Sequence, residues 1–280
     1  MKTKKKIGIF PIVNGLIFIL LTLIILVPMW KILVDSFDLK TAYGMKLWPE
    51  KFGLDGYKSV FSNPTLSRPL IISFITTISG TFLALLISTM GAYVLIQWEM
   101  PGRTFLANYL LMTMIFNGGM IPTYLVLSNL HLTNTLWVVI LFPALNVYNL
   151  VLLRNFFEGI PASLFESAKL DGCSPMQTFI KIVLPMSKAA LASIGLMYAV
   201  TYWNDYTHYK LHITNSRWYN FQMKLRGMTM GSELPQASGS ATENTVMNAA
   251  IIVVIIPFMI AYPFLQKYFV KGVNVGAVKE

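Results

Sequence analysis

Six apolar runs separate the polar segments of this chain of 280 residues. They lie near 12–34, 69–97, 104–127, 134–153, 188–207 and 246–266, and each is long enough to cross a hydrocarbon core of about 30 Å. Backbone polar groups must be paired inside lipid, and the runs lack the short alternation of membrane barrel strands, so helices are expected. The pattern predicts an all-α membrane protein with six transmembrane helices.

The second run carries small residues at every fourth position: Gly80, Ala84, Ser88 and Ala92. This spacing places them on one helix face, where a neighbouring helix can approach closely. We therefore expect this face to be a helix-packing surface.

Composition and charge support insertion into a membrane. The chain is 55% hydrophobic and 12% charged, whereas soluble domains carry about 25% charged residues. Lys2, Lys4, Lys5 and Lys6 precede the first run, so the positive-inside rule predicts a cytoplasmic amino-terminal tail, 1–11. Six crossings then return the tail 271–280 to the cytoplasm and leave outer loops at 35–67 and 209–245. A signal peptide is disfavoured because the first run is too long and lacks an A-x-A-like cleavage site.

Several other classes of protein are also disfavoured. The 22 basic residues exceed the 12 acidic ones, but the charge flanks apolar runs and gives no reason to expect a nucleic-acid partner. Apart from Lys31 at an outer end, no ionisable group lies deep in any run, whereas proton-coupled carriers usually need such groups. The single cysteine, Cys173, suggests neither a disulfide framework nor a metal site. No phosphate-binding G-x-x-x-x-G-K-[ST] loop and no nucleophile–base set occurs, so neither a bound cofactor nor an enzyme activity is expected of this chain.

The polar segment between the fourth and fifth runs, 155–187, carries strong helix punctuation. Ser163 with Glu166 forms the pattern of a capping box and predicts the start of a first short helix. Gly172 is well placed to end that helix in a left-handed cap. Ser174 with Gln177 forms a second capping-box pattern, which predicts a second helix directly after the glycine.

The same segment resembles a known family signature. Glu166-Ser167-Ala168, Gly172 and Ile182-Val183-Leu184-Pro185 are similar to the pattern E-A-A, three residues, G, nine residues, I-x-L-P of permeases of binding-protein-dependent ABC importers. The spacing matches throughout, and Ser167 is the one departure. We expect Pro185 to stop the second helix.

Softer similarities extend over nearly the whole chain. They point to the maltose-type carbohydrate-uptake branch of these permeases, particularly its subgroup for complex oligosaccharides. The similar stretches are Phe116–Tyr124, Leu132–Thr135, Asn155–Phe157 and Lys271–Lys279.

The resemblance implies a type I ABC importer permease fold, with 12–270 as the transmembrane permease domain in a bacterial plasma membrane. It also implies a second homologous permease, a cytoplasmic ATPase dimer that binds ATP and Mg, and an extracytoplasmic solute-binding protein. We call residues 155–187 the coupling segment, because in the family this region contacts the ATPase. The residues expected to couple are Glu166, Ser167, Ala168, Asp171, Gly172, Ile182, Leu184 and Pro185. The alternative for Glu166 is that it only completes its capping box.

Polar and aromatic residues in the runs are candidates for the substrate pathway. They are Asn117, Tyr124, Asn146, Asn149, Tyr198, Tyr202, Trp203, Asn204 and Asp205. Aromatic faces can cover a sugar ring, whereas Asn and Asp can bond its hydroxyls, so an oligosaccharide is the expected cargo. An interfacial aromatic belt and amide bonding between helices are the alternatives for these residues. For the protein as a whole, the same importer class with a non-sugar solute, or a secondary carrier or channel, remain open.

Overall fold

The computed structural model describes residues 9–40, 44–97, 99–235 and 237–277, and helices dominate these ranges. Strand-type pairing within them is limited to one bridge, between Asp38 and Phe52. The first seven α-helices are α1 Ile9–Phe37, α2 Asp55–Ser62, α3 Pro64–Leu95, α4 Arg103–Ile115, α5 Met120–Asn129, α6 Leu136–Leu141 and α7 Val147–Glu158. The next seven are α8 Ala162–Leu170, α9 Pro175–Thr178, α10 Leu184–Met186, α11 Lys188–Trp203, α12 Thr207–His212, α13 Phe221–Thr229 and α14 Glu243–Ala277. Phe142–Ala144 and Ser216–Trp218 form 3₁₀ turns, and Phe179–Val183 forms a π-helical turn.

Three helices in the described ranges are long and apolar enough to cross a membrane: Phe10–Phe37, Pro64–Leu95 and Glu243–Ala261. Three further candidates are bent helix pairs: Arg103–Ile115 with Met120–Asn129, Leu136–Ala144 with Val147–Glu158, and Pro175–Met186 with Lys188–Trp203. If each bent pair is one span, the total is six. The predicted all-α class with six spans therefore agrees with the helices found.

The predicted span 104–127 consists of two helices, because α4 and α5 meet at a bend of 118°. The break lies at the two consecutive glycines. Gly119 has a φ of +89°, and its amide donates to the Asn117 side chain over 2.9 Å. The predicted run 134–153 is also bent, by 44°, at the 3₁₀ turn around Pro143. Apolar composition alone therefore did not reveal where these helices break.

The chain divides into two compact units, of which the first comprises residues 1–67 and 225–257. In this unit, the Asp38 carboxylate organises the turn after α1. It accepts backbone amides from Lys40, Glu50 and Lys51 at 3.0–3.2 Å and lies 3.5 Å from the Lys46 ammonium. Burial favours the neutral acid, but the three amide hydrogen bonds and the Lys46 charge outweigh it, so the pKa of Asp38 lies below its usual value.

Part of the predicted outer loop 209–245 is held by hydrogen bonds within the first unit. The Ser238 amide donates to the Ser59 hydroxyl over 3.0 Å, and the Ser240 amide donates to the Asp55 carboxylate over 3.3 Å. The same region contains α13 and the start of α14. These hydrogen bonds hold residues 238–240 against α2.

The second unit comprises residues 68–224 and 258–280 and contains the coupling segment. The small-residue face of α3 lies in its core: Ala84, Ser88 and Ala92 are each 0% exposed. Gly80 lies directly against the ring of Tyr202 on α11. The predicted packing role of this face is confirmed.

Candidate functional site

The coupling segment forms helix, glycine turn and helix, as its sequence predicts. The start of the first helix differs from the prediction. Pro161 occupies the position before α8, and no side chain caps that end. Ser163 therefore lies inside the helix, and the predicted capping box between Ser163 and Glu166 is wrong. The fixed backbone of Pro161 and its missing amide suit a helix start and move the boundary upstream.

The end of α8 is a left-handed cap at Gly172, which has a φ of +71°. The Cys173 amide donates to the Ala168 carbonyl over 2.9 Å, and the Gly172 amide donates to the Lys169 carbonyl over 3.2 Å. These two bonds form a complete Schellman motif, with Asp171 as the last half-helical residue. The role predicted for Gly172 in ending the helix is confirmed.

The second helix begins with the predicted capping box. The Ser174 hydroxyl accepts the Gln177 amide over 3.3 Å, and the Gln177 side chain accepts the Ser174 amide over 2.8 Å. The helix then widens, because the Leu184 amide donates to the Phe179 carbonyl five residues earlier.

Pro185 does not stop this helix, contrary to expectation, since α10 continues to Met186. A proline has no amide to donate, so it disrupts α-helical bonding, and the wide π turn before it is a common accommodation. The axis then bends by 81° into α11.

The exposed surface of the coupling segment is mixed polar and apolar. Glu166, Ser167, Asp171, Gly172 and Pro185 are exposed, whereas Ala168 is buried, and Ile182 and Leu184 are half-buried. The Glu166 carboxylate makes no hydrogen bond or ion pair within the described part of the chain. Leu170 is 88% exposed, and Met176 and Ile180 are each 54% exposed. Apolar side chains around an uncompensated carboxylate are suited to contact with another protein.

The aromatic candidates of α11 are buried among neighbouring helices. Tyr198, Tyr202 and Trp203 are 1%, 2% and 3% exposed. The Tyr198 hydroxyl lies 2.6 Å from the Ser88 hydroxyl and accepts the Asn146 amide over 3.3 Å. The Tyr202 hydroxyl donates to the Ile140 carbonyl over 2.7 Å. These tyrosines hold α11 against α3 and the bend between α6 and α7, and this geometry does not expose them to a substrate.

Trp203 and the amide candidates have separate roles. Trp203 packs against Phe74 at a centroid distance of 4.9 Å. Asn146 caps α7 by accepting the Asn149 amide over 3.1 Å, and Asn149 itself is buried. Asn204 is exposed and accepts a hydrogen bond from Gln222 over 3.2 Å.

Asn117 and Tyr124 lie near the break between α4 and α5, where both side chains are exposed. Tyr124 stacks on His212, with centroids 5.6 Å apart and rings inclined by 10°. His212 is buried, and burial together with the charge of His208 lowers its pKa, although Asp205 opposes this effect. Asp205 is also buried and pairs with His208 at 3.0 Å. The structure thus brings Tyr124 and Asp205 to one cluster and leaves Tyr198 and Tyr202 in another.

Two contacts of the coupling segment were missed by sequence reasoning. Tyr93 on α3 bonds to the carbonyl of Pro175 over 2.8 Å, and Glu99 forms an ion pair with Lys169 at 2.8 Å. The partners are 82 and 70 residues apart in sequence. Contacts at such separations leave no pattern in the local sequence.

The apolar helices and the helix–glycine–helix segment define an integral membrane component of a transport system. A family model described as "binding-protein-dependent transport system inner membrane component" matches residues 9–275, so the chain belongs to this family. Protein LplC of Bacillus subtilis is 40% identical over 91% of this chain and 90% of its own length. The polygalacturonan/rhamnogalacturonan transport system permease protein YtcP of the same organism is 42% identical over 83% and 84%.

A solved structure gives the same fold. It belongs to a bacterial ABC transporter involved in the import of the acidic polysaccharide alginate. Its chain superposes with a TM-score of 0.87 at 29% identity, covering 93% of this chain and 96% of that one. The predicted type I importer permease fold is confirmed by this match and by the family model.

Proposed function

We propose that this chain is one half of the translocation pathway of an ATP-driven importer of oligosaccharides rich in uronic acid. The observation that carries the cargo class is the similarity, at 42% and 29% identity, to a polygalacturonan/rhamnogalacturonan transport permease and to a chain of a transporter involved in the import of the acidic polysaccharide alginate. The excess of 22 basic over 12 acidic residues gives an overall charge that does not repel an anionic solute.

The other subunits of the proposed importer are a second, homologous permease, a cytoplasmic ATPase dimer and an extracytoplasmic solute-binding protein. ATP and Mg bind to the ATPase. Both termini lie in the cytoplasm of a bacterium, as the amino-terminal lysines favour. The segment 209–245 faces outward and meets the binding protein.

The coupling segment docks onto the ATPase in this proposal. Two features of the segment support this docking: a turn with a fixed geometry and an exposed contact surface. The Schellman motif at Gly172 and the capping box at Ser174 fix the angle between the two short helices. Glu166 is exposed and does not cap its own helix, so its carboxylate remains available for a cation or amide of the partner.

In the substrate pathway, the exposed candidates are better placed than the buried ones. Asn117 and Tyr124 lie at the break between α4 and α5, and unpaired backbone at such breaks is tolerated in membranes where it lines a cavity. We place the sugar contact there and give Tyr198 and Tyr202 a packing role.

The decisive experiment is uptake by the complete importer in proteoliposomes. We expect ATP-dependent accumulation of short oligogalacturonides, with weaker uptake of malto-oligosaccharides. Uptake of neutral oligosaccharides alone would refute the acidic cargo, and uptake of only amino acids or phosphate would refute a sugar cargo. Accumulation by this chain without an ATPase would refute the importer class.

The docking proposal is tested in the same vesicles. Glu166→Ala is expected to lower both uptake and substrate-stimulated ATP hydrolysis. Ser163→Ala is the matched control, because Ser163 is exposed on the same helix but caps nothing. Equal activity of the two variants would contradict a contact between Glu166 and the ATPase.

A further inference from the structure

A tyrosine on the last full turn of α3 contacts the second helix of the coupling segment. The Tyr93 hydroxyl donates to the Pro175 carbonyl over 2.8 Å. Its ring packs against Phe179 with centroids 4.8 Å apart and an interplanar angle of 36°. The Tyr93 side chain is 9% exposed, so the contact is largely shielded from water. A hydrogen bond shielded in this way is stronger than one in contact with solvent. The start of α9 is therefore fixed to α3.

The loop after α3 makes a second contact, with the first helix of the segment. Glu99 and Lys169 form an ion pair at 2.8 Å, with side chains 86% and 76% exposed. The hydrogen bond and charge of Lys169 lower the pKa of Glu99. Such an exposed pair contributes little to stability. It does, however, link α8 to the same short stretch of chain that holds α9.

The other half of α3 contacts the interior of the second unit. Ser88, about one turn before Tyr93, bonds to Tyr198 over 2.6 Å, and Tyr198 accepts the amide of Asn146 at the bend between α6 and α7. The three positions Ala84, Ser88 and Ala92 have no exposed surface, so α3 cannot move independently of this interior. A continuous series of contacts thus runs from the coupling segment through Tyr93 to a helix break within the membrane.

We infer that Tyr93 is a positioning residue for transport, whose bond to Pro175 makes α3 follow the movement of the coupling segment. This inference rests on the proposed importer function. Neither Tyr93 nor Glu99 belongs to the signature pattern. The Tyr93 hydroxyl acts through the orientation of α9 and does not itself touch ATP or cargo.

The first test measures uptake per ATP hydrolysed by the complete importer, with oligogalacturonides as the probe. Tyr93→Phe keeps the ring on Phe179 and removes only the hydroxyl, which donates to the Pro175 carbonyl and also contacts the Gln97 side chain. Its ratio of uptake to hydrolysis is expected to fall about two- to tenfold, the range that corresponds to one hydrogen bond. Tyr109→Phe is the control, because Tyr109 is 58% exposed on α4. A merely structural role would lower the amount of folded complex and leave the ratio unchanged.

The second test does not depend on the cargo. Spin labels at Val94 and Met176, both exposed, in a Cys173→Ser background, report the distance between the end of α3 and α9. Tyr93→Phe is expected to broaden this distance distribution, and Tyr109→Phe is not. An unchanged distribution for Tyr93→Phe would overturn the inference. If the unsubstituted importer took up no oligogalacturonide, the proposed cargo would fail, while the spin-label distances would still decide the role of Tyr93.

Discussion

Gly80→Ala tests the close packing between α3 and α11. An added Cβ would lie 2.5 Å from Cζ of Tyr202 and 2.7 Å from its Cδ1. An ordinary contact needs at least 3.4 Å, so the ring or the helix would have to move by about 1 Å. Tyr202 is 2% exposed and its hydroxyl is bonded to Ile140, which leaves the ring little freedom.

The expected magnitude follows from two opposing effects. Overpacking a core costs about 1–3 kcal/mol. Replacing a helical glycine by alanine stabilises the helix by up to about 1 kcal/mol. We therefore expect a net destabilisation of up to about 2 kcal/mol, which lowers the melting temperature by several degrees.

The assay is thermal unfolding of the purified protein in detergent, followed by the loss of the monodisperse peak. Two glycines serve as controls. At Gly91 the nearest atom to an added Cβ is the flexible end of Leu150, at 2.9 Å, and at Gly15 nothing lies within 4 Å. The expected order of melting temperatures is Gly80→Ala lowest, Gly91→Ala next and Gly15→Ala at or above the unsubstituted protein.

A second substitution separates a local clash from a general effect. Tyr202→Leu removes the ring, so the Gly80→Ala/Tyr202→Leu double variant should lose less stability than the sum of the single variants. Additive losses, or a Gly80→Ala variant that melts like the Gly15→Ala variant, would refute the packing argument.

Three further predictions concern the coupling segment and the turn after α1. Gly172→Pro removes the amide bonded to Lys169 and the φ of +71°, so it should abolish sugar-stimulated ATP hydrolysis in the reconstituted importer; unchanged stimulation would contradict this. Ser174→Ala should cost about 1 kcal/mol of local stability by removing a cap, seen as faster amide exchange in α9 but not in α11. The pKa of Asp38 is lower in the folded protein than in the unfolded chain. The ionised carboxylate therefore stabilises the fold above the unfolded pKa, and this stabilisation is lost as the pH falls through the folded pKa. Asp38→Asn should therefore flatten the acid side of a plot of Tm against pH, and an unchanged acid side would count against that role.

The sequence predicted the helical class and the coupling segment because both depend on local signals. A capping box and a left-handed glycine act within a few residues, and those at Ser174 and Gly172 are present as expected. The box at Ser163 failed for an equally local reason. Pro161 is itself the residue before the helix, two positions earlier than Ser163, and its missing amide costs no hydrogen bond there.

Contacts between distant residues give no signal in the local sequence. The period-four pattern of Tyr198 and Tyr202 fits a sugar-binding face as well as a packed one. Gly80, more than 100 residues away, lets the Tyr202 ring approach α3, and the sequence around Tyr202 does not indicate this contact. The break at Gly118-Gly119 was visible as two glycines, but the continuous apolar composition around it concealed the 118° bend.

Because of the π turn at Phe179–Val183, the length of the signature determines how α8 is rotated relative to α11. An α-helix advances about 100° per residue, and a π turn accommodates one residue beyond the α-helical count. Deleting one residue there would leave α8 connected to α11 but rotated by about 100° about the helix axis. The nine residues between Gly172 and Ile182 therefore determine the direction in which Glu166 points, so sequence changes in this stretch should be tolerated more readily than changes in its length.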